Sequence, residues 1–428
     1  MPANRFLSIP YLLLRSTTAA GGLLAGLIQT FVFARILDPE RFSVFILIGT
    51  LGITLWLADL GMAKILFVRL RPWFLGTQDR DADITRQTTA VVVLYFLLNV
   101  ICTLLCFAIA HFWFGTSIQS SAEMALFFLF TAITLVWFVL RNIAVAVDDF
   151  LFFESMEVIR RILHVGAMLA TLVGLSLMAF LVIANLVWAG LFAMLLTRLA
   201  SKSALTLKIA GWWTSLKSFL RDNRKEVMHS GTYAANEFFL YSFPYAVVPW
   251  AFGLGAPTII LDTAFKVFRG ATVLYSAGCD IAVPRQTRAY NEGDRRSLIL
   301  ATLMAVGLCS VPCIVLIVML AFGSEFIFSF LLGKAATVPM AVSWLLIVLL
   351  AANLVQTASN FLLVHTGYFN VIARLSILVS VAMIIVTAIA LYAKVDLIGF
   401  LQVYTVVYVA SALSYMTLAL RGPLRKKT

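Results

Sequence analysis

Charge is scarce in this chain. Of 428 residues only 12% are Asp, Glu, Lys or Arg, against 62% that are hydrophobic, far from the balance of a soluble globular domain. Histidine occurs 4 times and cysteine 5 times. Cys102/Cys106 and Cys309/Cys313 are each one helical turn apart and suit small packing residues; neither a metal-finger pattern nor a secreted disulfide framework can be drawn from them. No P-loop is present, so ATP hydrolysis is not expected, and no His/Asp/Glu cluster has ligand spacing. No catalytic constellation stands out. The expectation is therefore no metal, no cofactor and no enzymatic activity.

What the chain does have is apolar sequence, in recurring stretches of about 20 residues, each enough to cross a hydrocarbon core of roughly 30 Å as a helix. A β-barrel would alternate instead. Spans are expected at 11–36, 43–66, 89–112, 124–146, 158–178, 180–197, 229–251, 257–281, 297–322, 338–362, 371–393 and 396–420, giving an all-α polytopic membrane protein of about twelve helices. The first stretch is too long for a signal-peptide core and a second span follows at once, so no cleaved signal is expected.

The formal charge of +12 would suggest nucleic acid for a soluble protein; here its distribution is what matters. Assigning alternate loops to alternate sides puts 23 Lys and Arg on the side of the termini and 4 (Arg35, Arg41, Lys334, Lys394) on the other. By the positive-inside rule both termini are cytoplasmic, and no nucleic-acid partner is expected. The longest loop, 199–228, holds a basic and aromatic stretch from Lys208 to Lys225 with Trp212, Trp213 and Phe219. It reads as an interfacial amphipathic helix on the cytoplasmic leaflet, in contact with membrane lipids, or simply as a linker. It divides the chain into six-helix bundles at 1–198 and 229–428. The halves open alike, turning at Asp38-Pro39 and Ala256-Pro257, which suggests a parallel repeat; transporters so built place the substrate path between their halves.

Ionisable side chains deep in a bilayer cost roughly 2.5–3.5 kcal/mol each by insertion scales, so they face protein or a wet cavity. Asp262, Lys266 and Arg269 occupy i, i+4 and i+7 of the eighth span, one helical face. Two cations there would attract an anionic group such as a diphosphate; the plainer reading is an Asp262–Lys266 pair that neutralises one charge. Asp59 of the second span and Arg141 of the fourth also lie inside, whereas Lys64 and Arg15 can snorkel. Asn236-Glu237 of the seventh span, with Tyr233, Tyr241 and Tyr245 at helical spacing, could bind a proton or Na⁺, or Glu237 could be a capped structural carboxylate. Gly22-x-x-x-Gly26, after Ser16-Thr17-Thr18-Ala19-Ala20, lets another helix approach closely. His164 and His365 are isolated. Arg160-Arg161, beside Glu154 and Glu157, reads as a solvated helix end.

The run Ala34-Arg35-Ile36-Leu37-Asp38-Pro39-Glu40-Arg41-Phe42, followed by a helix ending in Ala58-Asp59-Leu60-Gly61, resembles the opening of the Wzx-type polysaccharide flippases of the multidrug/oligosaccharidyl-lipid/polysaccharide (MOP) superfamily. Pro284 and the run Arg288-Ala289-Tyr290-Asn291-Glu292-Gly293-Asp294 look like the proline and Gly-Asp loop those proteins carry after their eighth helix. Asp38 and Ser43 stand where the family commonly has glycine. The resemblance implies a MATE-like fold of two six-helix bundles around a central cavity, lined by the first, second, seventh and eighth helices, in the bacterial inner membrane. It implies flipping of a polyprenyl-diphosphate-linked oligosaccharide to the periplasmic leaflet by alternating access, for O-antigen, capsule or exopolysaccharide synthesis, with a glycan polymerase and chain-length proteins as partners. Lys266, Arg269 and Arg141 would hold the diphosphate, with Asp262 beside them; Glu237, Asp59 and Asn236 would form a coupling site for H⁺ or Na⁺. The rivals are a multidrug or small-molecule antiporter of the same superfamily, which calls for an acidic cavity, and a membrane-embedded glycan polymerase or ligase, which calls for a large periplasmic loop.

Overall fold

A computed structural model describes residues 9–76, 82–206 and 209–425. Arg5, Arg80, Lys208, Lys426 and Lys427, and the side chains of Arg15, Ser16, Ala19 and Tyr233, lie outside the described residues. The rest is almost wholly helical: α1 (Ile9–Ile36), α2 (Pro39–Thr54), α3 (Met62–Phe74), α4 (Ala82–Ala108), α5 (Ile118–Ala132), α6 (Thr134–Ala146), α7 (Phe150–Ala170), α8 (Leu177–Ser201), α9 (Trp212–Asp222), α10 (Arg224–Tyr241), α11 (Phe243–Phe252), α12 (Ala256–Asn291), α13 (Arg295–Leu332), α14 (Met340–His365), α15 (Phe369–Tyr392) and α16 (Leu397–Arg421).

Local chemistry sets the boundaries. Asp38 accepts the Arg41 amide at 2.9 Å with Pro39 in the first turn of α2, a polar cap followed by a residue whose missing N–H is not needed there. Ser117, Ser176, Asp294 and Asp396 likewise accept the amide three residues on, at the starts of α5, α8, α13 and α16.

Eight helical stretches among the described residues are long and apolar enough to cross a membrane: Pro39–Asp59, Asp83–Trp113, Ile118–Ala146, Leu177–Ser201, Arg295–Leu332, Met340–His365, Phe369–Tyr392 and Leu397–Arg421. They match eight of the expected spans. The expected spans at 11–36, 158–178, 229–251 and 257–281 are not among them. The first falls in α1, whose side chains are described only in part before Ala20; its described apolar stretch is Ala20–Ile36. The other three stand out for physical reasons. Helix α7 carries Glu154, Glu157, Arg160 and Arg161; α10 and α11 are separated by a break at Ser242; α12 carries the Asp262, Lys266, Arg269 face. A count of twelve thus remains a proposal.

The second span is also discontinuous. A 3₁₀ turn, Leu55–Asp59, runs into Leu60 and Gly61, both left-handed (φ 45° and 79°), before α3 begins. Glycine meets two demands at position 61. It takes the positive φ without strain, and a Cβ there would collide with Ser230 Oγ.

Two compact units are present: Met1–Leu14 with Val44–Ala234, and Arg15–Ser43 with Ala235–Thr428. These boundaries differ from the expected 1–198 and 229–428 division chiefly at α1, most of which packs in unit 2. Lipid offers helices no hydrophobic drive to associate, so small residues and polar contacts hold them together. In unit 2, α1 approaches α12 at Gly26 and Gly270: Lys266 Cδ lies 4.0 Å from a Cβ built at Gly26, and one built at Gly270 would overlap Leu23. In unit 1, Trp137, Trp188, Phe153 and Phe192 form a ring cluster with centroid separations of 4.7–5.5 Å, such pairs adding about 0.5–1.5 kcal/mol beyond their buried area.

Arg160-Arg161 is not the solvated helix end that the sequence suggests. Glu157 is buried and accepts the Trp137 indole N–H (2.8 Å), Arg160 Nε (2.8 Å) and Arg161 Nε (2.7 Å), while the Arg160 guanidinium also sits 4.5 Å above the Trp188 ring. His164 is not isolated either: its Nε2 is 3.1 Å from the Ala184 carbonyl and its Nδ1 is 3.4 Å from Arg160 Nη1. Charges spaced i, i+3 and i+4 converge, and the ring cluster covers them. At the loop before α7, Arg198 and Lys202 both meet Asp149 at 2.9 Å. Burial alone would raise the Asp149 carboxyl, but hydrogen bonds and charge from Arg198 and Lys202 outweigh it and hold it below its ordinary value.

Candidate functional site

Proline 244 shapes the polar centre of unit 2. Lacking an N–H, it cannot bond to the Leu240 carbonyl four residues back, and the Tyr245 amide turns to Ser242 O at 3.0 Å instead of Tyr241 O. Two carbonyls at the α10/α11 break are thereby released inside the helix bundle, where each must find a donor. Tyr404 OH donates to Leu240 O at 2.7 Å, and Arg269 Nη2 donates to Tyr241 O at 2.6 Å.

Around this break the eighth-span charges divide. Asp262 is buried; its Oδ2 lies 2.7 Å from Lys266 Nζ, and its Oδ1 accepts Tyr245 OH at 3.1 Å. Lys266 Nζ also donates to Thr30 Oγ1 of α1 at 2.9 Å. The one-turn pairing that the sequence allowed is therefore made. Arg269 lies beyond it, about 10 Å along the axis from Asp262 at 1.5 Å per residue. Its guanidinium is 4.9 Å from the Tyr245 ring centroid, and its Nε is buried without a hydrogen-bond partner.

Sequence reasoning singled out Tyr241 and Tyr245 but missed Tyr404, Tyr408 and the amide and hydroxyl groups of α14 that complete this region. Tyr241 OH is 3.4 Å from Tyr408 OH, which donates to Asn353 Oδ1 at 3.3 Å; Asn353 Nδ2 donates to Thr272 Oγ1 at 2.7 Å, and Thr357 Oγ1 donates to Asn353 Oδ1 at 3.1 Å. Gln356 Oε1 is buried without a partner. A signal was present in the spacing: Asn353, Gln356, Thr357 and Asn360 form an i, i+3, i+4, i+7 stripe in α14, and Tyr404 and Tyr408 are one turn apart in α16.

The remaining candidates fall in three settings. Asn236 is buried in α10 with its Oδ1 unpartnered; Glu237 beside it is half-buried and interacts electrostatically with Tyr241, Tyr408 and Tyr415. Asp59 belongs to unit 1, where its Oδ1 accepts Tyr95 OH at 2.6 Å and the Ala63 amide at 2.9 Å. That carboxylate bridges the Leu60-Gly61 break, a structural use of its charge. Arg141, also of unit 1, is 3.5 Å from buried Glu154. Lys266, Arg269 and Asp262 thus come together, with Tyr241 of the Asn236-Glu237 helix bonded to Arg269; Asp59 and Arg141 are held by partners within unit 1. Among the described residues no group of three or more His, Cys, Asp or Glu could hold a metal ion.

No family model and no curated protein matches the chain. Solved structures do. An inward-facing multidrug resistance MATE family transporter of the MOP superfamily superposes with a TM-score of 0.65 at 14% identity, covering 99% of this chain and 96% of its own. The outward-facing form of such a transporter gives 0.63 at 14%, covering 97% and 96%. A MOP superfamily transporter from Pyrococcus furiosus Vc1, whose binding pocket is described as reversed in polarity with a different function suggested, gives 0.64 at 13%, covering 97% and 96%. At these identities the likeness establishes the fold. The chain is a multi-pass membrane protein with a MATE/MOP transporter fold.

Proposed function

We propose that this chain, folded as those transporters are, is a flippase that moves a polyprenyl-diphosphate-linked oligosaccharide across the bacterial inner membrane, from the cytoplasmic to the periplasmic leaflet, by alternating access. The observation that carries the reading is the surplus cation of α12: Asp262 is matched by Lys266, while Arg269 keeps a buried, unpartnered Nε beside a broken helix. A diphosphate supplies oxygens that a guanidinium binds in a forked geometry. Lys266, two contacts already satisfied, adds charge at the next turn, and Tyr241, whose hydroxyl is 3.4 Å from that of Tyr408, supplies an aromatic and polar surface beside it. The lipid tail stays in the bilayer, so the protein need accommodate only the polar head and glycan.

Glu237 and Asn236 are proposed as the acid and amide that couple an ion to this movement, by binding it in one conformation only. Asp59, engaged by Tyr95 and Ala63, and Arg141, engaged by Glu154, are left out of the binding site. The division into six-helix halves, the cytoplasmic termini and partnership with a glycan polymerase and chain-length proteins belong to the same proposal.

The names of the structural neighbours favour a second reading, a multidrug antiporter. Such substrates are commonly cationic, and an α12 face carrying two cations to one acid repels them. Deleting the gene in its host separates the two. A flippase predicts loss of surface glycan with lipid-linked repeat units accumulating on the cytoplasmic side; intact glycan with heightened drug sensitivity supports the antiporter and sinks the flippase.

A further inference from the structure

A groove in unit 1 lies outside the transport chemistry just described. It encloses about 1220 Å³ between the first turns of α4 and the linker helix α9, and Arg86, Lys217 and Arg221 line it together with the hydroxyls of Ser215 and Ser218. Asp83 is the acid of the lining, so cations outnumber carboxylate there. Their local partners are weak. Arg86 has no ion pair among the described residues, Lys217 Nζ lies 5.3 Å from the Trp213 ring centroid, and Arg221 meets its exposed neighbour Asp222 at 3.4 Å.

The place of the groove narrows its ligand. One wall is the start of the membrane-crossing stretch Asp83–Trp113, so the opening sits where that helix leaves the hydrocarbon. The other wall, α9, is anchored by Leu216 and Phe219, both buried, and turns Trp213 and Leu220 outward, with Ile209 exposed just before it. A helix with a basic face, a fixed apolar underside and an exposed tryptophan is built for the bilayer interface. A soluble phosphate would account for the cations but not for this apolar rim.

We propose that the groove binds the phosphate of an anionic phospholipid of the adjoining leaflet, with Arg86, Lys217 and Arg221 holding the phosphate oxygens and Ser215 donating to them; Ser218 already donates to Asp222 at 3.1 Å. The lipid then fastens α9 to the membrane surface. This site is separate from Lys266 and Arg269 and stands or falls without them.

Native mass spectrometry of the purified full chain, titrated with phosphatidylglycerol and with phosphatidylcholine, tests this directly. Preferential retention of phosphatidylglycerol is expected, weakened roughly fivefold by each of Arg86→Gln, Lys217→Gln and Arg221→Gln, since a basic residue near an anionic surface contributes about that factor. Phosphatidylcholine retention should not change. The double variant Lys217→Arg/Arg221→Lys should keep the preference, and unchanged melting of all variants shows that folding is intact. Equal retention of the two lipids, or a preference that survives the triple Gln variant, overturns the proposal. Displacement of phosphatidylglycerol by an equal concentration of inorganic phosphate overturns it too, by making the site one for a small soluble anion.

Discussion

Two helices in this protein each set one buried carboxylate against two cations of the same helix, and they use them in opposite ways. In α7 the spacing is i, i+3, i+4: Arg160 and Arg161 both reach Glu157, the Trp137 indole fills a further lone pair, and the rings of Trp188 and Phe153 close around the group. In α12 the spacing is i, i+4, i+7: Lys266 reaches Asp262, and Arg269 is left with a backbone carbonyl, a tyrosine ring and an unpartnered Nε. A shift of three residues in where the second cation falls separates a closed structural cluster from one with binding capacity to spare. Composition alone does not distinguish them.

Breaking the closed cluster should have the largest effect on stability. Glu157→Ala leaves two guanidiniums in the protein interior without their carboxylate, at a cost of about 3–5 kcal/mol, read as a large fall in melting temperature or in folded yield. Mild loss would mean that the cluster is wetter than its packing indicates. In α12, Asp262→Asn should cost less, about 1–3 kcal/mol for the disrupted hydrogen bonds, and should tighten binding of an anionic lipid headgroup by freeing Lys266. Weaker binding would show that Asp262 positions Lys266 rather than competing for it. The smallest effect belongs to the ion pairs outside the membrane. The folded-state pKa of Asp149 is lowered, so its contribution is present above the unfolded value of about 3.9 and is lost as pH falls through the folded one. Asp149→Asn should melt slightly below the parent at pH 7, by about 1 kcal/mol or less, and the gap should close below about pH 4. A gap that persists in acid would assign Asp149 a role independent of its charge.

How much of this was legible in the sequence varies with the kind of signal. Long apolar runs identified eight spans directly, because length and apolarity are all that lipid demands. The Asp262–Lys266 pair followed from i, i+4 spacing. The Glu157 cluster did not, because a Glu-x-x-Arg-Arg run looks the same whether water or tryptophan surrounds it, and Trp137 and Trp188 arrive from the flanking helices α6 and α8, beyond any local spacing. The breaks at Leu60-Gly61 and Pro244 were passed over since each lies inside an otherwise continuous apolar run; yet Pro244 is what releases the carbonyl that Tyr404 takes. Asn353, Tyr404 and Tyr408 were readable as polar stripes on α14 and α16, but nothing local says that they meet Tyr241.

The most direct test of the account is the affinity of the purified protein for a polyprenyl-diphosphate-linked oligosaccharide, compared between the parent chain and Arg269→Gln, with the melting temperature of each recorded. The account predicts a loss of at least about tenfold in affinity, of the size expected for a charge-assisted contact, with the Glu157 cluster and the fold unperturbed. Affinity unchanged in a folded Arg269→Gln protein would contradict it and reduce Arg269 to a clasp on the Tyr241 carbonyl.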